Sequence, residues 1–395
     1  MSRIDDLIAE HCPNGVTFKE LGKVCKIKTG EAVSKQLIVS KPGQYPVINS
    51  GREPLGFIDQ WNTENDPIGI TSRGAGVGSI TWCEGRYYRG NLNYSCTIID
   101  EAMLSVRFLF YLLNDIQDKI QSLCTYDGIP ALNKGNLEKL EIPVPPPQIQ
   151  KEIVDILDAF TKLEAELEAE LEARRQQYAY YRNSLLSFNE IGRNVERERE
   201  SRFVQWRSLG EIAMYSDTRI DAAALDHHTY VGVDNLLQNR AGKTISNYVP
   251  ESGRLTHYKA DDILLGNIRP YLKKIWHSDN QGGTNGDVLV IRIKPEEKEN
   301  VLPRYLYQVL ADDNFFHYAV KTSKGAKMPR GNKQLIMKYE IPVPSPEEQE
   351  QIVAILDKFD ALVNDISSGL PAEISARRQQ YEHYRNQLLT FQEAA

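Results

Sequence analysis

Residues 141–160 read EIPVPPPQIQKEIVDILDAF, and residues 340–359, 199 positions later, read EIPVPSPEEQEQIVAILDKF. A second block recurs 203 positions apart, as ARRQQYAYYRNSLLSF at 173–188 and ARRQQYEHYRNQLLTF at 376–391. A period of about 200 in a chain of 395 residues means two copies of one module, so any acceptable fold contains that module twice.

Each copy opens with an extended segment punctuated by proline, which fixes φ and pushes the preceding residue out of the α region. A helix follows. In the second copy Ser345 is placed to cap it, Pro346 to open it and Glu348 to complete a capping box; the first copy has only Pro147 as a start signal. Apolar residues then step by three, four or seven: Ile149, Ile153, Leu157, Phe160, Leu163, Leu167, Leu171, Tyr178, Tyr181, Leu185 and Phe188. The second copy repeats that stripe. The expectation is two long helices of equal length that bury their stripes on each other. Four additional residues in the second copy, near Gly369 and Pro371, stand against a run of four-residue LEAE units in the first. Four residues add about 6 Å to a helix, so helix length reads as a spacer setting.

The repeat extends beyond the helices. Residues 16–22 (VTFKELG) return as 204–210 (VQWRSLG), residues 105–114 are an apolar helix matched by 303–311 with Arg107 at the place of Arg304, and Ile129-Pro130 with Asn133-Lys134 matches Met328-Pro329 with Asn332-Lys333. Short strand-like runs separated by Gly, Asn and Pro turns lie between. The fold class expected is α+β: two globular domains of mixed strands and short helices, alternating with two long antiparallel, coiled-coil-like helices in a pseudo-twofold tandem repeat. The boundaries read as 1–139 for the first globular part, 140–190 for the central helical spacer, 191–202 for a charged linker, 203–338 for the second globular part and 339–395 for the C-terminal helical spacer.

The net charge of −7 would disfavour a polyanionic partner, but its distribution does not. Residues 1–139 hold 15 basic and 16 acidic side chains and residues 201–338 hold 20 and 15, whereas 140–200 hold 8 and 13 and 339–395 hold 4 and 10. Acidity is concentrated on the helices, and a chain can present one surface to DNA while repelling it with another. No apolar run reaches the ~20 residues of a membrane span, and the first residues lack the apolar core of a signal peptide. The five cysteines are odd in number and form no Cys-x-x-Cys pair, as expected of reduced thiols in a cytoplasmic protein.

Catalytic constellations are weak. The glycine-rich segment 74–78 lacks the Lys-Ser/Thr of a P-loop and reads as a tight turn beside Arg73; Asp287 with Glu296 and Glu297 can only be forced into an acidic nuclease pattern. The seven histidines show no metal spacing, and no metal site is expected. The remaining chemistry is cationic and amide side chains on turns. Arg and Lys neutralise phosphates, while Arg and Asn read base edges. The DNA-binding candidates are Lys28, Arg73, Arg86, Arg89, Asn133 and Lys134 in the first module, and Lys243, Asn267, Arg269, Lys273, Lys274, Lys324, Lys327, Arg330, Asn332 and Lys333 in the second.

The duplicated blocks, each after a divergent globular region, resemble the specificity subunit of Type I restriction-modification enzymes, and the LEAE units resemble the branch whose central spacer carries tetrapeptide repeats. The resemblance spans essentially the whole chain. It implies two target-recognition domains that each read half of a bipartite site on double-stranded DNA, with the helices as ruler between them. It also implies docking of two methyltransferase subunits, and of restriction subunits through them, with no catalysis and no cofactor in this chain; S-adenosylmethionine, ATP and Mg would be used by the other subunits. Candidate docking residues on the helices are Arg174, Arg175, Tyr178, Tyr181, Arg182, Arg377, Arg378, Tyr381, Tyr384 and Arg385. The competing readings are an autonomous nuclease or methyltransferase, and a decoy or orphan scaffold that binds the partners without reading DNA.

Overall fold

The computed structural model describes residues 2–51, 53–188, 204–325, 327–364 and 368–394. The charged linker expected at 191–202 lies outside them. The chain forms two compact units, residues 1–166 with 376–395, and residues 167–375.

In the first unit the strands Cys25–Thr29, Asn93–Ile98, Ile68–Thr71 and Ile80–Trp82 lie side by side in that order, every pairing antiparallel. In the second unit Ala213–Tyr215, Val288–Ile293, Ile263–Gly266 and Ile275–His277 repeat the same order and sense. The α+β tandem repeat expected from the sequence is therefore what the chain adopts, and the interiors that diverge in sequence each form a sheet of the same strand order.

The recurring ends of the module are recurring because they pair. Phe18–Glu20 lies antiparallel to Glu141–Pro143, with Phe18 opposite Pro143; Gln205–Ser208 lies likewise against Glu340–Val343, with Trp206 opposite Pro342. The sheets are two-stranded, so a proline lacking its N–H leaves no ladder broken on a second side. This clasp drops the following helix onto the module. Ile149, Ile153 and Leu157 are fully buried with Leu109, Leu112 and Phe108 of the helix Val106–Asp115, and Ile352 and Leu356 pack in the same way with Leu306 and Leu310 of Pro303–Leu310. One polar contact recurs within each apolar layer. Gln150 Nε2 donates to Met103 O and Pro145 O, and its Oε1 accepts from Ser105 N; Gln349 does the same with Asn300 O, Pro344 O and Leu302 N.

The expectation that the stripes bury wholly on each other is corrected. The first third of each stripe is core of its own module, because the clasp fixes the helix start there. Helix-on-helix packing begins further along and is antiparallel: Phe160 stacks on Tyr384 at 5.5 Å in the first unit, and Phe359 stacks on Tyr181 at 5.2 Å and Tyr178 at 6.0 Å in the second. Leu167 and Leu171 meet Val363, Leu370 and Ile374. Each unit thus combines the first block of one copy with the second block of the other. Equal helix length is also corrected. The first stretch is one helix, Pro147–Leu186, of 40 residues; the second is two, Pro346–Asn364 and Leu370–Leu389. Pro371 in the first turn and Gly369 before it suit a helix start rather than an interior. At the earlier start the cap is formed, with Glu348 N donating to Ser345 Oγ at 3.3 Å.

Candidate nucleic-acid interface

At one end of each sheet the chain leaving a central strand is held against a hairpin. In the first module Leu132 N donates to Ser72 O at 2.8 Å and Gly74 N to Pro130 O at 2.9 Å, so Arg73 lies opposite Ala131. In the second, Gly331 N donates to Asn267 O at 2.9 Å and Arg269 N to Pro329 O at 2.7 Å, so Ile268 lies opposite Arg330. The outer strand of each hairpin pairs in turn, Cys124 and Thr125 with Leu132 and Ala131, and Lys324 with Arg330. Directly after the hairpin Asn133 caps the short helix Lys134–Glu138 by accepting from Gly135 N at 2.8 Å, and Asn332 caps Lys333–Ile336 through Gln334 N and Leu335 N.

This edge gathers some of the sequence candidates and excludes others. Arg73, Asn133 and Lys134 sit around the first hairpin; Arg269, Lys324, Lys327, Arg330, Asn332 and Lys333 sit around the second. Lys134 reaches Glu138 at 3.5 Å, and Arg330, still 61% exposed, reaches Asp287 at 3.1 Å. Arg269 is exposed at a φ of 53°, in the left-handed region that costs a non-glycine residue energy, held by the bond to Pro329. The two asparagines serve as helix caps. Lys28 is exposed on the outer strand of the first sheet, apart from the hairpin.

Five candidates are committed elsewhere, and a sixth, Asn267, is buried beneath the hairpin edge. Arg89 is 3% exposed, and its guanidinium donates to Ile68 O, Tyr94 O, Asp66 O, Asn93 Oδ1 and the Tyr87 hydroxyl. It is a core residue, since a buried guanidinium needs partners and the strand ends supply them. Arg86 bonds Glu64 at 2.8 Å and covers the Trp61 ring at 4.7 Å. Lys273 bonds Asp313, Lys274 bonds Val233 O, and Lys243 bonds His228 O beside the Trp276 ring, where burial lowers its ammonium below the ordinary lysine value. Asn267 is buried with its Oδ1 unpaired and faces Gly331, where a side chain would meet it.

Of the docking candidates, several turn inward. Arg182 is 5% exposed and donates to Ala311 O, Gln308 Oε1 and the Tyr178 hydroxyl. Arg385 bonds Asp115 at 3.1 Å, and Tyr381 and Tyr384 pack on Phe160; Arg378 bonds Glu164 at the surface, its side chain 54% exposed. These side chains join each helix to its own unit. Arg174 and Arg377 are partly exposed, in contact with Glu170 and Gln380; Arg175 and Tyr181 are exposed.

The acidic pattern dissolves. Glu297 makes a bidentate pair with Arg207 of the clasp, both bonds 2.7 Å, and Asp287 holds Arg330. The glycine segment 74–78 is a tight turn closed by Gly78 N to Thr71 O at 2.8 Å. The residues that sequence reasoning missed are the exposed tips, Tyr126, Ile129 and Met328. The matching Ile129-Pro130 and Met328-Pro329 pairs were the available signal.

Two copies of one α+β module, each carrying a cation-flanked hairpin and clasped onto shared helices, define a tandem recognition scaffold. The chain belongs to the Type I restriction modification DNA specificity family, whose domain matches residues 13–173 and 230–376. It is 33% identical over 278 residues to the EcoR124I/EcoR124II specificity subunit of Escherichia coli, an alignment covering 65% of each protein. It is 29% identical over 402 residues to a Type I restriction enzyme specificity subunit of Haemophilus influenzae, covering 95% of this chain and 96% of that one. In fold it is similar to the S subunit of a Type I restriction-modification system from M. genitalium, with a TM-score of 0.61 at 18% identity, covering 95% and 96% of the two chains.

Proposed function

We propose that this chain is the non-catalytic DNA-reading subunit of a Type I restriction-modification complex, and that each module reads one half of a bipartite site on double-stranded DNA. The observation that carries this reading is the pair of equivalent hairpin edges, alike in backbone and different in side chains. Two readers of one architecture with different tips suit two half-sites of different sequence. The candidate contacts are Arg73 and Lys134 in one module and Arg269, Lys324, Lys327, Arg330 and Lys333 in the other, which suit phosphate and base-edge recognition. The division of the chain into two readers and two helical spacers, the helix Pro147–Leu186 as ruler, and the docking of two methyltransferase subunits on exposed helix faces, with restriction subunits joining through them, belong to the same reading. So does the use of S-adenosylmethionine, ATP and Mg by those other subunits. Support for docking comes from exposed apolar and aromatic side chains on the helices, Tyr180, Tyr181, Ile355 and Leu362.

The test is methylation sequencing of cells that express the methyltransferase subunit with and without this chain. A split methylated motif that appears only with the chain is the expected result. An unchanged methylome overturns the reading and favours a scaffold that does not read DNA.

A further inference from the structure

Each hairpin tip holds an exposed apolar side chain. Ile129 is 63% exposed and Met328 is 52% exposed, and neither belongs to the apolar core of its module. Single exposed apolar residues are ordinary. A large exposed apolar residue at the same place in both modules is not, because it recurs with the proline after it while the three residues before it, 126–128 and 325–327, differ.

Each tip is rigid. The proline that follows, Pro130 or Pro329, has a fixed φ and accepts a backbone bond from the neighbouring loop, and the next residues pair on both sides. Each is flanked by cations, Arg73 in the first module and Arg269, Lys324 and Lys327 in the second. Cations at the flanks with an apolar residue at the apex suit a surface whose rim is phosphate and whose floor is base. The B-DNA major groove, ~12 Å wide, admits a two-stranded ribbon, and its apolar feature is the thymine methyl.

We propose that each hairpin enters the major groove of one half-site and that Ile129 and Met328 each pack on a thymine methyl there. The proposal rests on the reading of the chain as a DNA-specificity subunit, and it assigns the base-contacting residues that the divergent interiors conceal.

The experiment uses the assembled methyltransferase complex and duplexes bearing its motif, with each thymine replaced in turn by deoxyuridine, which lacks only the methyl. Wild-type complex is expected to bind about fourfold more weakly when one particular thymine in each half-site is replaced, the effect of losing one buried methyl. Ile129→Ala is expected to abolish that difference in one half-site alone, and Met328→Ala in the other. Both side chains are exposed, so circular dichroism melts should match wild type. Variants that remain as sensitive as wild type to every replacement overturn the proposal, as does a uniform loss of affinity on specific and random duplexes alike. Absence of any motif preference in the wild-type complex is the separate failure of the underlying reading.

Discussion

Arg304 Nε lies 2.9 Å from Asp357 Oδ1, and Arg107 Nε lies 2.8 Å from Asp158 Oδ1. Both aspartates close the recurring ILD triplet, and both arginines open the apolar helix of their module. The pair ties module to spacer twice in one chain, which accounts for both residues recurring. Arg107 also lies over the Trp82 ring at 4.8 Å. Because the partners are about a third exposed, screening limits each bond. Asp357→Ala and Asp158→Ala are each expected to cost about 1 kcal/mol in urea unfolding, with the coupling recovered in double-mutant cycles against Arg304→Ala and Arg107→Ala. Additive cycles would show that the contacts do not act as pairs.

Gln150 and Gln349 carry a larger share. Each amide satisfies three backbone groups inside the module, and its removal leaves them without water. Gln150→Leu and Gln349→Leu are expected to cost about 3 kcal/mol or more. Urea midpoints within error of wild type would refute this.

Arg73 and Arg89 carry the same charge and separate cleanly. Arg89→Ala strips partners from four carbonyl and amide oxygens in the core, with an expected loss of about 3 to 5 kcal/mol. Arg73→Ala should leave the melt unchanged and reduce the slope of log affinity against log salt for DNA by about 1. The reverse pattern would exchange their roles.

Stability should depend on pH with opposite sign at two aspartates. Burial raises the Asp115 carboxyl above its ordinary value, more than Arg385 and Lys119 lower it. A raised folded pKa stabilises the protonated side, so this contribution is present in acid and lost as pH rises through the folded value. For Asp313 burial also raises, but the Lys273 bond and the Arg240 charge prevail and hold it below the ordinary value. Its contribution is present above the unfolded carboxylate range and lost as pH falls through the folded value. Between pH 3 and 7, Asp115→Asn should therefore gain on wild type as pH rises, while Asp313→Asn should lose. Parallel urea-midpoint curves for the two variants would contradict these environments.

Insertion of one further LEAE unit after Glu172 adds about 6 Å of helix. The expected outcome is a methylated motif with the same half-sites and an unread gap longer by about one base pair, read by methylation sequencing. An unchanged gap would remove the ruler function from this helix.

The tandem plan was legible because the recurring residues are those that touch one another. Trp206 and Pro342, Arg304 and Asp357, and Gln349 with the chain before its helix are partners in space, so each copy had to keep both members. The shared sheet was not legible. Its central strands need only be short runs of residues small or apolar enough to bury on both faces, and many sequences satisfy that, so Ile68–Thr71 and Ile263–Gly266, each buried throughout, occupy equivalent places without a common motif.

The sequence by itself determined that the chain holds two modules, where each clasp and the helix directly after it begin, and the family to which the chain belongs, because local chemistry and repetition are written residue by residue. Only the tertiary structure decided which cations are available. Arg89 and Arg182 carry the same side chain as Arg73 and Arg175, and burial separates them: a guanidinium withdrawn from water must find partners within the protein. It also decided that the second block of each copy belongs to the other copy's module. Tyr178 on Phe359 and Tyr384 on Phe160 are contacts across more than 180 residues, set by antiparallel packing that no local pattern encodes.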